Sequence, residues 1–510
     1  METSNQGGSE VQIYEEIGEI ISDSATPTFE VFTFKAFHNK FPSPGSIVSI
    51  EYTKNKFILG RISNSHEHNP HQSVDQKAAQ HALNIQPDYP GEDSSFTIYR
   101  TYEVEVMDEI HIVSGNPIVR PCEVLPRSGQ KVISPPSDFI YALLGLSRNT
   151  TDGFNLGKIA TNLSAESEVP VILRKDIIQR HVFIGGTTGG GKSYAAKVLA
   201  EEIHKHKIPI IFFDTQYEFV PITEKLNGVV LIPGTNYKVR LSSLDTDELS
   251  GLTPTVNNDL HVQILTSAFL RLKEINRNFN SQQLLTEIDT VSDEITTGKQ
   301  GETTKWYVHS RTEYHLNQYN FIGDGFDWKT IIKPGAIIDV NCRGANRQRL
   351  QLILAATLRE LQTLRQHREI LPYVIFIDEA HLFVPQDDDS ACKQIIREGV
   401  RVGRHNGICF VLITQSPIDI DKKAIRQCNT RLLFAIEPDQ LIALQGVKAD
   451  ATDEMLNRLP KSPQGTCIIS GTYETIKHAI PVKIRKMETA NADGGQTPDI
   501  FSETSKHGTG

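Results

Sequence analysis

The chain has 510 residues, of which 38% are hydrophobic and 22% are charged, a composition typical of an ordinary soluble globular protein. Its length predicts about two to four domains. The first residues, METSNQGGSEVQ, lack the basic start and apolar core of a signal peptide, and no stretch approaches the roughly 18 apolar residues that span a bilayer. We therefore expect a cytoplasmic protein without a membrane segment.

The formal net charge of -10 argues against nucleic-acid binding by the whole surface, because phosphate contacts need local lysine and arginine. Local clusters of basic residues still allow a basic channel, although solvated helix faces explain most such clusters. These clusters lie at 342–349, 397–404, 422–423 and 483–486. The six cysteines show no metal-binding spacing, so we expect them to be reduced and mostly buried.

The first part of the chain predicts a small β-domain. After a disordered start at 1–10, residues 11–125 alternate apolar and polar positions in short runs such as FEVFTF and KFILGRI, which favours an antiparallel barrel or sandwich. The polar stretch 64–81 interrupts this pattern and is predicted to be a mobile loop or a short helix. Its histidines, His66, His68 and His71, are best explained as exposed loop residues rather than metal ligands.

The second part of the chain predicts an α/β core with a mainly parallel sheet. Residues 126–170 are rich in proline, serine and asparagine and are interpreted as a connector, and from 171 to 486 apolar runs alternate with helical patterns. Residues 245–330 predict a helical insertion in this core, and the tail 487–510 has too few large apolar residues to be ordered. The predicted strands of the core are 181–185, 208–214, 229–233, 336–340, 372–378, 408–414 and 430–436.

A glycine-rich turn opens the core. The segment GTTGGGKS at 186–193 fits the pattern G-x-x-x-x-G-K-[ST] between a predicted strand and a predicted helix, which indicates a P-loop that binds ATP. Backbone N–H groups would surround the phosphates, Lys192 would reach the β- and γ-phosphate oxygens, and the Ser193 hydroxyl would bind Mg²⁺. The predicted nucleotide-binding residues are Gly186, Thr187, Thr188, Gly189, Gly190, Gly191, Lys192, Ser193 and Tyr194.

Two carboxylates follow the buried strand within PYVIFIDEAH. Asp378 is placed to hold Mg²⁺, and Glu379 is placed to polarise a water molecule for attack on the γ-phosphate. Gln415 ends a later strand, ICFVLITQ, where it can sense the γ-phosphate, although a simple polar residue at a strand end would look the same.

Arginines close to these strands are candidates for a residue that neutralises transition-state charge across a subunit boundary. Arg397, Arg401 and Arg404 precede the Gln415 strand, and Arg180 precedes the P-loop strand. An ordinary surface arginine remains the alternative for each of them.

Five segments in this order resemble the HerA ATPases of the FtsK/HerA superfamily. They are RHVFIGGTTGGGKS, IIFFDTQYEF, YVIFIDEAHLFVP, REGVRVGRHNGICFVLITQSP and IRQCNTRLLFAI. The resemblance covers roughly residues 11–486 and implies a RecA-like ATPase core behind an N-terminal barrel. It also implies a homohexamer that translocates or unwinds double-stranded DNA together with a nuclease partner.

By motif match, the resemblance gives Arg404 the role of the arginine that acts in trans and Arg180 that of a second phosphate-facing arginine. Asp214 and Glu218 match acidic positions after the second strand. Departures from the family pattern are the segment FFDTQYEF, which lacks the usual proline and glycine, and Ser416, which stands where the family has arginine. Bacterial relatives also occur in antiphage systems, where the ring assembles with an effector such as a nuclease or a sirtuin-like enzyme that consumes NAD.

Two functions from different classes remain open at this point. The chain is either a motor that moves duplex DNA, in antiphage defence or DNA end processing, or a nucleotide-dependent ring scaffold that assembles and regulates an effector with little translocation. A protein unfoldase would have the same ATP site. ATPase activity that duplex DNA stimulates, and that salt suppresses, favours the motor.

Overall fold

The computed structural model describes residues 14–22, 26–68, 99–162, 165–275 and 278–489. These residues divide into two compact units. The first unit is drawn from Met1–Asp152, Lys158–Ile172 and Ile476–Lys483, and the second from Gly153–Gly157, Leu173–Thr475 and Ile484–Gly510. The predicted disorder of 1–10 concerns residues outside the described ranges, as does nearly all of the predicted disordered tail.

Antiparallel strands form the first unit. They are β1 (Glu16–Ile21), β2 (Val31–Ala36), β3 (Ile47–Thr53), β4 (Lys56–His68), β5 (Tyr99–Val113), β6 (Asn116–Pro121) and β7 (Lys131–Ile133). Their order is β2-β1-β7-β3-β4-β5-β6, and β2 also pairs with β5, which closes six of the strands into a barrel. The alternating apolar side chains, among them Phe34, Ile50 and Val104, fill its core. The predicted barrel is confirmed.

The ends of this domain differ from the prediction in two places. Strand β4 continues to His68, whose ring stacks on Tyr99 and lies 2.8 Å from the Thr101 hydroxyl, so the first residues of the stretch 64–81 are strand rather than loop or helix. His71 lies outside the described residues. Strand β7 lies beyond 125, where the sequence analysis places the end of this domain. The prediction misses it because its KVI run is too short to show a period of two.

Residues 126–170 are not an irregular connector. Besides β7 they contain helix α1 (Ser137–Leu144), strand β8 (Gly153–Asn162) and the first part of strand β9 (Ala165–Arg174). Pro136 immediately precedes α1 and Gly145 ends it in the left-handed conformation, so the proline and glycine here are helix boundaries. Composition alone could not distinguish such boundaries from a linker.

The second unit is built on strands that are mostly buried on both faces. They are β10 (Val182–Gly185), β11 (Ile210–Asp214), β12 (Val229–Leu231), β13 (Val239–Arg240), β14 (Ile322–Gly323), β15 (Ile337–Asn341), β16 (Tyr373–Ile377), β17 (Ile408–Thr414), β18 (Thr430–Leu433) and β19 (Thr466–Gly471); β20 (Ile480–Ile484) returns mainly to the first unit. All seven predicted core strands are among them, each within a few residues of its predicted bounds.

The main sheet of the second unit has the order β12-β15-β11-β16-β17-β10-β18-β19. Neighbouring strands are parallel except for β18 and β19. Strands β16, β17 and β10 are therefore adjacent, and their carboxyl ends meet at one edge of the sheet. The predicted α/β fold with a mainly parallel sheet is confirmed.

The second unit also contains helices. They are α2 (Lys192–Lys205), α3 (Val220–Lys225), α4 (Thr246–Leu252), α5 (Asp259–Ile275), α6 (Ser281–Ile295), α7 (Gly298–Gln318), α8 (Trp328–Ile331), α9 (Arg347–Gln366), α10 (Ala391–Asn406), α11 (Lys422–Gln427), α12 (Leu441–Gln445) and α13 (Asp453–Arg458). Helices α4 to α7 occupy the segment 245–330, where the helical insertion is predicted. Across the described ranges, no helix combines the length and the apolar content needed to cross a membrane.

Candidate active site

The glycine-rich turn joins β10 to α2, as the sequence predicts. Gly186 has a φ of 155°, and a Cβ there would lie 2.6 Å from Phe434 Cβ, so only glycine fits this position. Gly191 precedes α2 with a φ of 110°, and no side chain caps the helix. The first N–H groups of α2 therefore face the turn without a side-chain acceptor, which suits a bound phosphate.

Lys192 is held at the base of this turn. Its Nζ donates a hydrogen bond to the carbonyl oxygen of Thr187 at 2.7 Å, and the side chain is largely buried. Burial lowers the pKa of Lys192, whereas the nearby charges of Glu379, Asp378 and Glu218 oppose this effect. The ammonium group is thus close enough to these three carboxylates to feel their charge. The hydroxyl of Tyr194, two residues further, accepts a hydrogen bond from the backbone N–H of Met487 at 2.7 Å.

Asp378 and Glu379 follow β16 at the same edge of the sheet, and both side chains are mostly buried. Burial raises the pKa of Asp378 to about 7, with the charges of Glu379 and Asp214 adding to the effect. Burial also raises the pKa of Glu379, against the attraction of Lys192. A buried carboxylate that resists ionisation on its own is one that a divalent cation would stabilise, so the donor set fits Mg²⁺.

The loop after β11 holds both carboxylates. The Thr215 hydroxyl donates to Asp378 Oδ2 at 2.9 Å, and the Gln216 amide donates to Glu379 Oε1 at 3.0 Å. The prediction from sequence included neither Thr215 nor Gln216. Their position directly after a buried strand is the signal that could have identified them, because the carboxyl ends of parallel strands meet at one edge.

Asp214 and Glu218, which the resemblance places in the site, have different surroundings. Asp214 is fully buried and accepts hydrogen bonds from the backbone N–H groups of Gln216, Glu218 and Phe219 at 3.0, 3.1 and 2.8 Å. Its carboxylate therefore fixes the loop itself. Glu218 lies 3.5 Å from Lys197 Nζ of α2.

Gln415 lies between the P-loop and the carboxylates, because β17 runs between β10 and β16. Its Oε1 accepts a hydrogen bond from the Thr188 hydroxyl at 2.6 Å. The position fits the predicted sensor role, since the side chain touches the loop that would surround the phosphates. The contact also links the ends of β17 and β10.

The two predicted arginines are less closely tied to this cluster. Arg180 forms an ion pair with Glu474 and is partly buried. Arg404 lies in helix α10, but its side chain falls outside the described part of the chain. Ser193 lies at the start of α2, next to Lys192.

A further acidic residue, Asp339, was not singled out from the sequence. It lies in the middle of β15, is fully buried, and neither carboxylate oxygen has a hydrogen-bond partner among the described residues. Burial raises its pKa well above the usual range, with added repulsion from Asp214 and Asp378. The sequence signal that could have identified it is an aspartate inside the otherwise apolar run AIIDV. All six cysteines are free, and five of them are buried, as predicted.

Several known proteins are similar to this chain. Residues 154–361 match the family model described as the central domain of the helicase HerA. The DNA double-strand break repair helicase HerA of Sulfurisphaera tokodaii is 24% identical over 394 residues, which cover 73% of this chain and 78% of that protein. A probable helicase of Methanocaldococcus jannaschii is 22% identical over 471 residues, and the match covers 88% of this chain and 87% of that protein.

Among solved structures, VirB4 of Thermoanaerobacter pseudethanolicus superposes with a TM-score of 0.50 at 17% identity. The match covers 67% of this chain and 98% of VirB4, and it supports the fold assignment. The predicted resemblance to the HerA ATPases is confirmed.

Proposed function

We propose that this HerA-type P-loop ATPase uses ATP hydrolysis to move double-stranded DNA. The observation that carries the proposal is the meeting of Lys192, the Asp378–Glu379 pair and Gln415 at the carboxyl ends of three adjacent strands. This arrangement supports nucleotide hydrolysis, and the DNA repair helicases among its relatives support DNA as the substrate of the motor.

Each residue in the site has a chemical role in this proposal. The P-loop N–H groups and Lys192 bind the phosphates, and Ser193 and Asp378 would hold Mg²⁺, which when bound neutralises phosphate charge. Glu379 accepts a proton from the attacking water molecule. Gln415 reports the γ-phosphate to the rest of the sheet through its contact with Thr188.

We further propose a homohexamer in which an arginine from one subunit completes the site of its neighbour. Arg404 is the first candidate and Arg180 the second, on the resemblance alone. Arg180 would have to leave its ion pair with Glu474 to reach a neighbouring phosphate, which makes it the weaker candidate on the observed contacts. An arginine that acts in trans typically contributes about 10³-fold or more in rate, so isolated subunits should be nearly inactive.

We also propose that the ring works with an effector, either a nuclease or an enzyme that consumes NAD, in antiphage defence or in DNA end processing. The support is the family pattern of assembly between ring and effector.

The test is steady-state ATPase activity with and without linear duplex DNA, across a range of salt concentrations. Glu379→Gln is the hydrolysis-deficient control, and its assembly state is measured by light scattering to verify an intact oligomer. For a motor we expect stimulation by DNA that weakens steeply with added salt. ATPase activity indifferent to duplex DNA at low salt would contradict translocation and favour the scaffold.

A further inference from the structure

We propose that Gln216 is a positioning residue that orients the Glu379 carboxylate for its reaction with water. The inference rests on the proposed role of Glu379 and extends it to a residue with no assigned role. It concerns the loop that follows β11, which lies beside β16 in the sheet.

The loop that carries Gln216 has a fixed backbone. The Asp214 carboxylate accepts three backbone N–H hydrogen bonds from this loop, including that of Gln216 itself. The ring of Phe219 at the end of the loop stacks on Phe212 of β11, with centroids 4.6 Å apart and planes 10° from parallel. A fully buried carboxylate and a stacked ring hold the loop at both ends, so the Gln216 side chain starts from a well-defined position.

Two consecutive residues of this loop hold two consecutive carboxylates. Thr215 donates to Asp378 and Gln216 donates to Glu379, at 2.9 and 3.0 Å. Adjacent residues of the loop therefore hold the carboxylate proposed to bind the metal, Asp378, and the carboxylate proposed to activate water, Glu379. Gln216 holds Glu379 from its side chain, while the backbone of Gln415 also donates to this carboxylate.

Glu379 needs such a partner because its own backbone leaves it in an uncommon conformation. Its φ and ψ are both 48°, in the left-handed region that few non-glycine residues occupy. The second carboxylate oxygen lies 3.3 Å from His381 Nδ1, but burial lowers the pKa of His381, so this ring is a neutral neighbour rather than a cation. Lys192 lies nearby and attracts the carboxylate. Without the Gln216 amide, we expect the carboxylate to turn towards Lys192 and away from the water molecule.

The consequence is a loss of turnover without a loss of binding. Misplacing a catalytic group by about 1 Å can cost about 100-fold in rate. For Gln216→Ala and for Gln216→Met, which keeps the length but removes the donor, we expect kcat to fall by about ten-fold or more, with the KM and the Kd for ATP within about two-fold of wild type. Gln216→Glu should be slower still, because it places a second carboxylate against Glu379.

The experiment compares these variants with Glu379→Ala and with the double variant in single-turnover ATP hydrolysis. The exposed Gln282→Ala on helix α6 controls for the general effect of removing a glutamine. If Gln216 acts through Glu379, then Gln216→Ala has little further effect once Glu379 is alanine. A purely structural role would instead lower the urea midpoint and slow both backgrounds equally.

The outcomes separate the inference from the proposed function. If Glu379→Ala hydrolyses ATP at the wild-type rate, the proposed role of Glu379 fails and the inference fails with it. If Glu379→Ala is impaired while Gln216→Ala and Gln216→Met turn over normally, or raise only the KM, the inference alone is overturned. Additive losses in the double variant would also overturn it.

Discussion

The buried carboxylate of Asp378 should reduce the stability of the protein when Mg²⁺ is absent. Burial and neighbouring carboxylates raise its pKa from 3.8 to about 7, so the folded protein holds this proton more tightly than the unfolded chain does. The resulting stability is fully present below about pH 4, declines steadily as the pH rises, and is fully lost once the pH has passed about 7. Each pKa unit corresponds to ~1.4 kcal/mol, so ionisation of Asp378 costs about 4 kcal/mol by pH 8.

The perturbation is Asp378→Asn, which keeps an oxygen for the Thr215 hydroxyl but cannot ionise. We expect this variant to be more stable than wild type by up to about 4 kcal/mol at pH 8 in EDTA and by only about 2 kcal/mol at pH 5, while its Mg²⁺-dependent ATPase activity is lost. The measurement is urea unfolding at several pH values between 5 and 8. The exposed Asp387→Asn is the matched control.

The reasoning would be refuted if wild type and Asp378→Asn showed the same change in stability between pH 5 and pH 8. A variant less stable than wild type at pH 8 would contradict it as well. Added Mg²⁺ with ATP should recover most of the difference for the wild type alone, because only the aspartate gains a partner.

Two further predictions concern positions around the site. Gly186→Ala should lower the free energy of unfolding by about 2 kcal/mol and abolish ATPase activity, because its Cβ would meet Phe434 and the carbonyl oxygen of Ala435. The control is Gly251→Ala on α4, where a Cβ meets no atom within 4 Å. This variant should be neutral or slightly stabilising in the same urea titration. Asp339→Val should raise the urea midpoint at neutral pH, because it removes two buried oxygens that have no hydrogen-bond partner among the described residues; a lower midpoint would mean that the carboxyl group has a partner of its own.

The elements of the core were predictable because each carries a local signal. The seven strands are short, strongly apolar runs bounded by polar residues, and a sheet covered on both faces demands such runs. The P-loop has a fixed spacing that depends on backbone geometry, and Gly186 illustrates why the spacing is recognisable: the residue at its start cannot be anything larger. Asp378 and Glu379 were found because they end one of these runs.

Which carboxylate each of the partners Thr215 and Gln216 would hold was not predictable, because the pairing depends on strand order. Thr215 and Gln216 lie about 160 residues before the carboxylates they hold, and nothing in the sequence states that β11 lies beside β16. The same holds for the contact between Thr188 and Gln415. The short strand β7 and the segment 126–170 were missed for a different reason, since their structure depends on pairing with distant strands rather than on their own pattern.

These long-range contacts connect the ends of four strands in two pairs. The loop after β11 holds both carboxylates that follow β16, and the side chain that follows β17 holds the P-loop that follows β10. Thr188 lies on the loop that would surround the phosphates, so in the proposed motor a change at the nucleotide would reach the end of β17 through its contact with Gln415.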